Sequence, residues 1–251
     1  MQDLQGKVAI VTGASRDIGR ATAIHLASLG VKVAVNYCNN EAAGQETVAE
    51  IEKNGGEAIL VKGDMMVKAD VDNLVAETAK AFGNDIHILV NNVGGLVERR
   101  TIDLIDEEFL NHVMALNFTS TFLASQAVAP HMPAGSSIIN LGSLAGRDGG
   151  GGGATLYGAS KGAVMTFTRG LAKELGPQGI RVNALAPGMI DTTFHDTFTP
   201  DAARKNVEAT VPLRRQGLSE DCAHAVAFLA SDASSYLTGV NMDINGGMSF
   251  S

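Results

Sequence analysis

Apolar residues occur along the chain in two alternating patterns. In one pattern, five or six consecutive residues are mostly aliphatic and β-branched, which is typical of a strand buried on both faces of a sheet. The strands predicted in this way cover residues 7–12, 31–36, 58–62, 86–90, 137–141, 181–186 and 240–244. In the other pattern, apolar residues recur at helical spacing. This spacing predicts helices over residues 18–29, 41–53, 71–82, 107–128, 157–175 and 219–229.

The alternation of strands and helices indicates repeated βαβ units. We therefore predict one α/β domain over residues 1–251. Its fold would be a Rossmann-type, doubly wound parallel sheet of about seven strands with helices on both faces. Residues 189–215 match no regular pattern for long, and we expect an irregular region there.

Chemically distinctive residues follow five of the predicted strands. They are residues 13–19, Asp64, residues 91–95, Ser143 and residues 187–192. In a doubly wound sheet, ligands bind beyond the carboxyl ends of the strands. The sequence therefore predicts a functional site at that edge of the sheet.

Gly13 and Gly19 enclose a turn that follows the first strand and precedes the first helix. Gly13 allows the tight turn, and Gly19 allows the helix to pack close to the sheet. Backbone N–H groups at the start of such a helix can bind a diphosphate. In this strand–turn–helix context, the two glycines indicate a dinucleotide site.

Tyr157 and Lys161 are four residues apart at the start of a predicted helix, so their side chains share one face. A phenol has a pKa of about 10 in water and is a poor acid or base near neutrality. A neighbouring ammonium favours the phenolate, so we expect Lys161 to lower the pKa of Tyr157. Ser143 could hold a substrate oxygen while Tyr157 exchanges a proton with it. The alternative is a surface lysine beside a packed tyrosine, a common helical pair.

The chain has 19 basic and 27 acidic residues, and its formal net charge is −8. This charge provides no electrostatic footprint for nucleic acid. Cys38 and Cys222 form neither a metal-ligand spacing nor a disulfide framework, as is typical of a reducing compartment. No signal-peptide pattern and no apolar run near the ~18 residues of a membrane span is present. We expect a cytoplasmic protein without a metal site or a membrane segment.

Several motifs follow one another in a characteristic order. They are Thr12-Gly13-x-x-x-Asp17-x-Gly19, Asn91-Asn92-Val93-Gly94, Ser143, Tyr157-Gly158-Ala159-Ser160-Lys161 and Pro187-Gly188. Their order and spacing resemble the short-chain dehydrogenase/reductase family over essentially the whole chain. Within that family, the chain looks most similar to the 3-oxoacyl-(acyl-carrier-protein) reductase group, whose relatives include sugar, polyol and ketone reductases.

The resemblance implies an NADP(H)-dependent enzyme that transfers a hydride between nicotinamide and a carbonyl or secondary alcohol. Tyr157 would be the general acid or base, and Lys161 would lower its pKa and bind the nicotinamide ribose. Ser143 would polarise the carbonyl, and Asn117 would anchor a proton-relay water. The structural alternative for Asn117 is a polar residue that bonds its own helix backbone.

The resemblance also implies where the cofactor lies. Asp64 would contact the adenine, residues 91–94 would line the cleft, and residues 187–192 would hold the nicotinamide carboxamide. The implied cofactor-binding residues are Gly13, Ser15, Arg16, Asp17, Ile18, Gly19, Asn36, Tyr37, Asp64, Met65, Asn91, Asn92, Val93, Gly94, Tyr157, Lys161, Pro187, Gly188, Ile190 and Thr192.

Asp17 departs from the family pattern, which usually has glycine at this position. A carboxylate near phosphates is repelled, whereas aspartate is a favoured helix cap. Asp17 therefore either caps the first helix and points away from the phosphates, or it weakens cofactor binding. We expect the cap, with dinucleotide binding retained.

The end of the second strand, residues 33–40, contains no acidic residue to accept the ribose 2′-hydroxyl of NAD. Arg16 can reach a 2′-phosphate with two hydrogen bonds. These two features favour NADP over NAD. The alternative for Arg16 is a solvated surface residue.

Residues 189–215 correspond to the substrate lid of the family. Their mixed apolar and polar wall contains Phe194, His195, Phe198, Val211, Pro212 and Leu213. His195 could contact the substrate, although histidines in mobile loops are usually only exposed. The five glycines at 149–153 are either a slack connector or a mobile rim of the site.

An acidic carrier protein needs a basic docking patch near the cleft. The corresponding residues, 129–136 and 177–179, include no lysine or arginine. A small-molecule carbonyl or alcohol is therefore at least as good a candidate, and the chain would then be a sugar, polyol or xenobiotic ketone reductase.

The alternative of another class is a non-catalytic dinucleotide sensor, which would have no need to retain Ser143, Tyr157 and Lys161 together. The predicted helices at 107–128 and 157–175 are apolar around much of their circumference, which suggests a subunit interface. The resemblance implies a homotetramer.

Overall fold

The computed structural model describes residues 2–250, and one seven-stranded sheet forms its centre. The strands are β1 (Val8–Val11), β2 (Lys32–Tyr37), β3 (Ala58–Lys62), β4 (Ile88–Asn91), β5 (Ser137–Leu141), β6 (Arg181–Pro187) and β7 (Asn241–Ile244). They lie in the order β3-β2-β1-β4-β5-β6-β7, and every neighbouring pair is parallel. This order confirms the predicted Rossmann-type doubly wound sheet.

Helices connect the strands and cover both faces of the sheet. They are α1 (Asp17–Ser28), α2 (Glu41–Lys53), α3 (Lys68–Phe82), α4 (Glu107–Met114), α5 (Ser120–Val128), α6 (Ala145–Asp148), α7 (Thr155–Leu175), α8 (Thr193–Phe198), α9 (Asp201–Thr210) and α10 (Ser219–Ala230). The predicted bounds of α2, β3 and β5 are confirmed at both ends. Within residues 2–250, no helix has both the length and the apolar character to cross a bilayer.

Two parts of the helical prediction were wrong. Residues 189–215 contain α8 and α9, where an irregular region was expected. The pattern missed them because α8 has only six residues and α9 buries none of its residues. The helix predicted over residues 107–128 is interrupted by a π-helical turn, Ala115–Thr119, between α4 and α5. Apolar spacing does not reveal such an insertion, which is common near functional sites.

The hydrophobic core has two halves, one on each face of the sheet. Successive strand residues point to opposite faces, so Ile88 and Val90 pack with α1 and α10, whereas Leu89 packs with α3, α5 and α7. Full burial of a side chain such as Leu89 contributes about 2 kcal/mol. Burial on both faces explains why these strands are continuously apolar in sequence.

The strand order reverses at β1, which lies between β2 and β4. Such a switch point opens a crevice beyond the carboxyl ends of the two central strands. The turn after β1 and the segment after β4 therefore border the same crevice, as predicted for the functional site.

Candidate active site

The turn between β1 and α1 is held by polar side chains from the neighbouring strands. Gly13 has a φ of +60°, which favours glycine. A Cβ on Gly19 would lie 2.4 Å from the carbonyl oxygen of Gly13, so glycine is required there as well. Asn36 Oδ1 accepts from the amide of Gly13 (3.0 Å), and Asn92 Nδ2 donates to the carbonyls of Thr12 and Gly13 (3.0 Å each). This close-packed cradle fits a dinucleotide diphosphate.

Asp17 does not cap α1, so the predicted cap was wrong. Asp17 is the first residue of α1, and its φ of +49° lies in the left-handed region. A capping residue must precede the first helical residue to reach the free N–H groups of its own helix. The Asp17 carboxylate instead accepts hydrogen bonds from the amide (3.2 Å) and the hydroxyl (2.5 Å) of Thr193, the first residue of α8. Ser15 and Ile18, in the same turn, are partly exposed.

Arg16 also contacts α8. Its guanidinium donates to Asp17 Oδ2 (3.2 Å) and to the hydroxyl of Thr193. A cavity of about 430 Å³ lies at the ends of β2 and β3, and Arg16 is not among the residues that line it. The lining residues are Cys38, Asn39, Lys62, Asp64 and Asp70.

This cavity contains Asp64 at the position expected for an adenine contact. The predicted contact residues Asn36, Tyr37 and Met65 are buried and are not among the residues that line the cavity. Lys62 supplies a cation to the cavity, and our sequence analysis missed it. The signal was available, since Lys62 is the register partner of Tyr37 on the adjacent strand.

Helix α7 places Tyr157 and Lys161 one turn apart, as predicted from their spacing. The Lys161 ammonium lies 5.9 Å from the centre of the Tyr157 ring and donates to the carbonyl of Leu141 at the end of β5 (2.7 Å). Lys161 is only 4% exposed. Burial lowers the pKa of Lys161 to about 8. The buried site therefore makes the Lys161 ammonium more acidic than a lysine in water.

The expected lowering of the Tyr157 pKa is not observed in this structure. Burial raises the pKa of the phenol, and a hydrogen bond from the Ser143 hydroxyl opposes this rise. Desolvation outweighs the other influences because the phenolate loses more hydration than these partners replace. Ser143 Oγ also accepts from the amide of Ala145 (3.1 Å), which orients its hydroxyl. Ser143 and Tyr157 thus meet as predicted, with Tyr157 held in its protonated form.

Asn117 lies in the π-helical turn and is fully buried. Its Oδ1 accepts from the amide of Gly95 (2.9 Å), and its Nδ2 donates to the carbonyls of Gly95 (2.9 Å) and Val113 (3.0 Å). A Cβ on Gly94 would lie 2.7 Å from both Asn117 Oδ1 and Lys161 Nζ. The side-chain amide of Asn117 therefore fixes the segment after β4 against Lys161.

The rest of the 91–94 segment stabilises the sheet end and the turn. Asn91 is buried and donates to Ser125 Oγ (3.0 Å) and Asn140 Oδ1 (2.8 Å), which joins β4 to β5. The amides of Asn92 and Val93 donate to the Thr12 hydroxyl (2.9 and 3.2 Å). These bonds position the segment beside the glycine turn.

The segment after β6 lies next to Ser143 and leads into α8. The carbonyl of Pro187 accepts from the amide of Leu144 (2.9 Å), and a Cβ on Gly188 would lie 2.8 Å from Asn245 Cβ. Ile190 and Thr192 are 3% and 8% exposed. The predicted residues after β6 are therefore anchored at the same sheet edge as Ser143.

Helix α8 packs over Tyr157. The Phe194 ring centre lies 5.7 Å from that of Tyr157 and 5.2 Å from that of Phe198. Burial, followed by the charges of Arg204 and Arg99, lowers the pKa of His195 to about 4, so this imidazole is neutral at pH 7. Val211, Pro212 and Leu213 belong elsewhere, because they line a separate cavity of about 540 Å³ beside β7. The residues predicted to form one wall therefore lie in two places, one beside Tyr157 and one beside β7.

The glycine segment 149–153 is tied to α8 by Arg99, a residue that no sequence motif singled out. Arg99 donates to the carbonyl of Gly152 through Nη1 (2.8 Å) and to that of Phe198 through Nε (3.1 Å). The amide of Arg100 donates to the carbonyl of Gly153 (3.1 Å). Of the two alternatives for the glycines, this arrangement supports a rim of the site. Among residues 2–250, no group of three or more His, Cys, Asp or Glu side chains could hold a metal ion.

Comparison with known proteins relates the chain to reductases and dehydrogenases. A family model described as enoyl-(acyl carrier protein) reductase matches residues 13–249. The 3-oxoacyl-[acyl-carrier-protein] reductase of Synechocystis sp. is 42% identical to the chain, over 99% of each sequence. A short chain dehydrogenase from Burkholderia cenocepacia, solved in complex with NADP, is 36% identical over 98% of each chain, with a TM-score of 0.90. The NADH-dependent reductase A1-R′, responsible for alginate metabolism, is 33% identical over 100% of each chain, with a TM-score of 0.91.

Proposed function

The chain is an oxidoreductase of the short-chain dehydrogenase/reductase family, close to its 3-oxoacyl-(acyl-carrier-protein) reductase group, and from this we propose that it interconverts a carbonyl compound and its secondary alcohol with NADP(H). The observation that carries the proposal is the meeting of Ser143, Tyr157 and Lys161 beside a glycine turn shaped for a diphosphate. A binding protein would not need a protonated phenol and a buried ammonium at this point of the crevice.

Tyr157 acts as the general acid in carbonyl reduction. The raised pKa of Tyr157 keeps the proton on the phenol. The Ser143 hydroxyl is hydrogen-bonded to the phenol, so a carbonyl oxygen placed between them would accept from both groups. The bound nicotinamide supplies the hydride that the carbonyl carbon accepts. As the substrate oxygen becomes negative, Ser143 stabilises it and Tyr157 delivers its proton. Lys161 then stabilises the phenolate left on Tyr157 through its charge.

Asn117 supports proton return to Tyr157 through its main chain. Its side-chain amide is occupied by Gly95 and Val113, so a relay water would be held by its carbonyl. That carbonyl accepts from the Thr121 hydroxyl (3.1 Å), and the relay water would bond beside this hydroxyl. Asn117 therefore combines a positioning role with a place in the relay.

The cofactor would be held by the cradle that Gly13, Gly19 and Gly94 form, with its adenosine end in the cavity beside Asp64. NADP is our proposal because the end of β2 offers no carboxylate to a ribose 2′-hydroxyl and Lys62 adds a cation nearby. The NADP-bound relative supports this choice, and the NADH-dependent relative defines the alternative.

The substrate is a small carbonyl compound or alcohol that lies between Tyr157, Phe194 and Phe198. The aromatic surface of α8 favours an apolar group next to the reacting carbon. A 3-oxoacyl thioester meets this requirement, as does a small ketone that needs no carrier protein. The absence of lysine and arginine at residues 129–136 and 177–179 favours the second kind.

We propose that the enzyme works in the cytoplasm as a homotetramer. Phe167 of α7 contacts Phe118 in the π-helical turn (5.7 Å between ring centres) and Phe122 of α5 (6.1 Å). Leu110 and Phe122 are each 38% exposed on this face. Covering such a face with a second subunit would remove apolar surface from water. Sedimentation analysis tests the assembly.

The function is tested by NADPH oxidation with a panel of ketones, β-ketoesters, 3-oxoacyl thioesters and keto-sugars. We expect turnover with at least one class and a preference for NADPH over NADH. Binding of NADPH without turnover of any carbonyl or alcohol would instead support a dinucleotide sensor. Turnover confined to carrier-linked thioesters would contradict the preference for small substrates.

A further inference from the structure

The lid helix α8 is attached directly to the glycine turn. Asp17 accepts hydrogen bonds from both the amide and the hydroxyl of Thr193, and the Arg16 guanidinium bonds to the same two residues. These contacts join the segment after β1 to the segment after β6. One carboxylate therefore sets the position of the first turn of the lid.

The same helix reaches the catalytic centre. Phe194, the residue after Thr193, packs against Tyr157, and Phe198 at the other end accepts a hydrogen bond from Arg99. A shift at Thr193 would move Phe194 because α8 has only six residues and its far end is tied down. The Asp17–Thr193 contact therefore acts on the substrate side of the site as well as on the cofactor side.

The Asp17 carboxylate also stands in the turn that would receive a diphosphate. Its backbone has a φ of +49°, a conformation that aspartate adopts at some cost and that glycine adopts freely. A carboxylate held at Thr193 and a diphosphate in the turn are both negative, so they repel each other. Binding of a diphosphate in the turn then weakens the Asp17–Thr193 contact, and this contact weakens binding of the diphosphate to the same degree.

We propose that Asp17 is a positioning residue that couples dinucleotide binding to the lid. Its carboxylate holds α8 over Tyr157 in the free protein and releases Thr193 when a diphosphate occupies the turn. The free protein is thus mostly in a form that binds the cofactor poorly, and release of the contact raises the fraction that binds well. The inference rests on the proposed function, because it assumes that a dinucleotide binds at residues 13–19.

The test is a comparison of NADPH dissociation constants by calorimetry. Thr193→Val removes the hydroxyl that Asp17 holds without changing any charge, and we expect it to lower the dissociation constant about threefold to tenfold. In the Asp17→Gly background the same substitution should change it by less than about twofold, since the contact with Asp17 is already absent and the remaining bond, from Arg16 to the hydroxyl, involves no charge that opposes a diphosphate. Thr197→Val is the matched control, because Thr197 lies on α8 and its hydroxyl bonds only to the Thr193 carbonyl within that helix (2.8 Å).

Hydrogen exchange and turnover give independent readouts. Amides of α8 should exchange faster in free Thr193→Val and Asp17→Gly proteins than in the wild type. The value of kcat at saturating NADPH should remain within about twofold for Thr193→Val, because the contact is absent from the complex.

An unchanged dissociation constant in Thr193→Val, or an equal decrease in both backgrounds, would overturn the coupling. A wild type that binds NADPH but reduces no carbonyl would refute the proposed function alone, whereas a wild type that binds no dinucleotide would refute both.

Discussion

The carboxylate of Asp17 caps the helix that begins at Thr193, which lies 176 residues further along the chain. The left-handed backbone of Asp17 costs about 1 kcal/mol. Hydrogen bonds from Thr193 to a charged acceptor offset this cost. Asp17, the residue that departs from the family's glycine pattern, therefore links the segment after β1 to the segment after β6. Its carboxylate bonds to α8 rather than to the helix in which Asp17 lies.

Replacement of Tyr157 with phenylalanine should reduce kcat for carbonyl reduction by about 10²- to 10⁴-fold, which is the usual contribution of a general acid. The ring contact with Phe194 is retained, so the NADPH dissociation constant should change little. Stopped-flow turnover and calorimetric binding of the same preparation measure the two effects. Tyr236→Phe is the matched control, because Tyr236 is fully exposed on the surface. Equal activity of Tyr157→Phe and Tyr236→Phe would exclude the acid role.

Replacement of Lys161 with methionine should abolish turnover and yet stabilise the fold. The pKa of Lys161 is about 8 in the folded protein against 10.5 for a free lysine, so its burial in charged form costs about 3 kcal/mol at pH 7. Loss of the hydrogen bond to the Leu141 carbonyl destabilises the variant by about 1 kcal/mol or more, which offsets part of the stabilisation from removing the buried charge. We expect the melting temperature at pH 7 to rise by about 3–6 °C. A lower melting temperature with methionine would contradict the assigned cost of burial.

The stability difference between wild type and Lys161→Met should depend on pH. Between pH 8 and 10.5 the unfolded lysine binds a proton that the folded lysine has lost, so wild-type stability rises with pH in that window relative to the variant. The extra stability of the Lys161→Met variant should therefore be fully present below about pH 8 and decrease toward pH 10.5. For turnover, kcat/KM should fall as the pH passes about 8 and Lys161 loses its charge. Urea unfolding and initial rates across pH 6–10.5 measure both trends.

The fold was predictable because burial on both sheet faces leaves continuous apolar strands, which are visible in sequence. The site was predictable where spacing encodes proximity, as for Tyr157 and Lys161 on one helix. Contacts between distant loops were not predictable in this way. The pairing of Asp17 with Thr193, and of Arg99 with Phe198, depends on how the segments after different strands fold back over the crevice. The raised pKa of Tyr157 was missed for a related reason, since desolvation depends on neighbours that α8 supplies.

Cofactor preference should depend more on Lys62 than on Arg16. Lys62 lines the adenosine-side cavity, whereas the Arg16 guanidinium is engaged by Asp17 and Thr193. We expect Lys62→Ala to weaken NADPH binding about tenfold and to leave NADH binding nearly unchanged, as loss of a charged hydrogen-bond donor would. Arg16→Ala should change the ratio of the two dissociation constants by less than about threefold. A larger shift of this ratio in Arg16→Ala would restore the role that the sequence suggested for Arg16.

Replacement of Gly94 with alanine should inactivate the enzyme without unfolding it. The new Cβ would lie 2.7 Å from both Asn117 Oδ1 and Lys161 Nζ, so both groups or the backbone at residue 94 must shift. Lys161 has the more flexible side chain, and its displacement would break the bond to the Leu141 carbonyl and withdraw its charge from Tyr157. We expect kcat to fall at least tenfold while the melting temperature changes by only a few degrees. Gly95→Ala is the adjacent control, because its Cβ would meet only Leu116 Cδ2 at an ordinary 3.6 Å. Similar kcat values for the two variants would show that close packing of Gly94 against Lys161 is not required for catalysis.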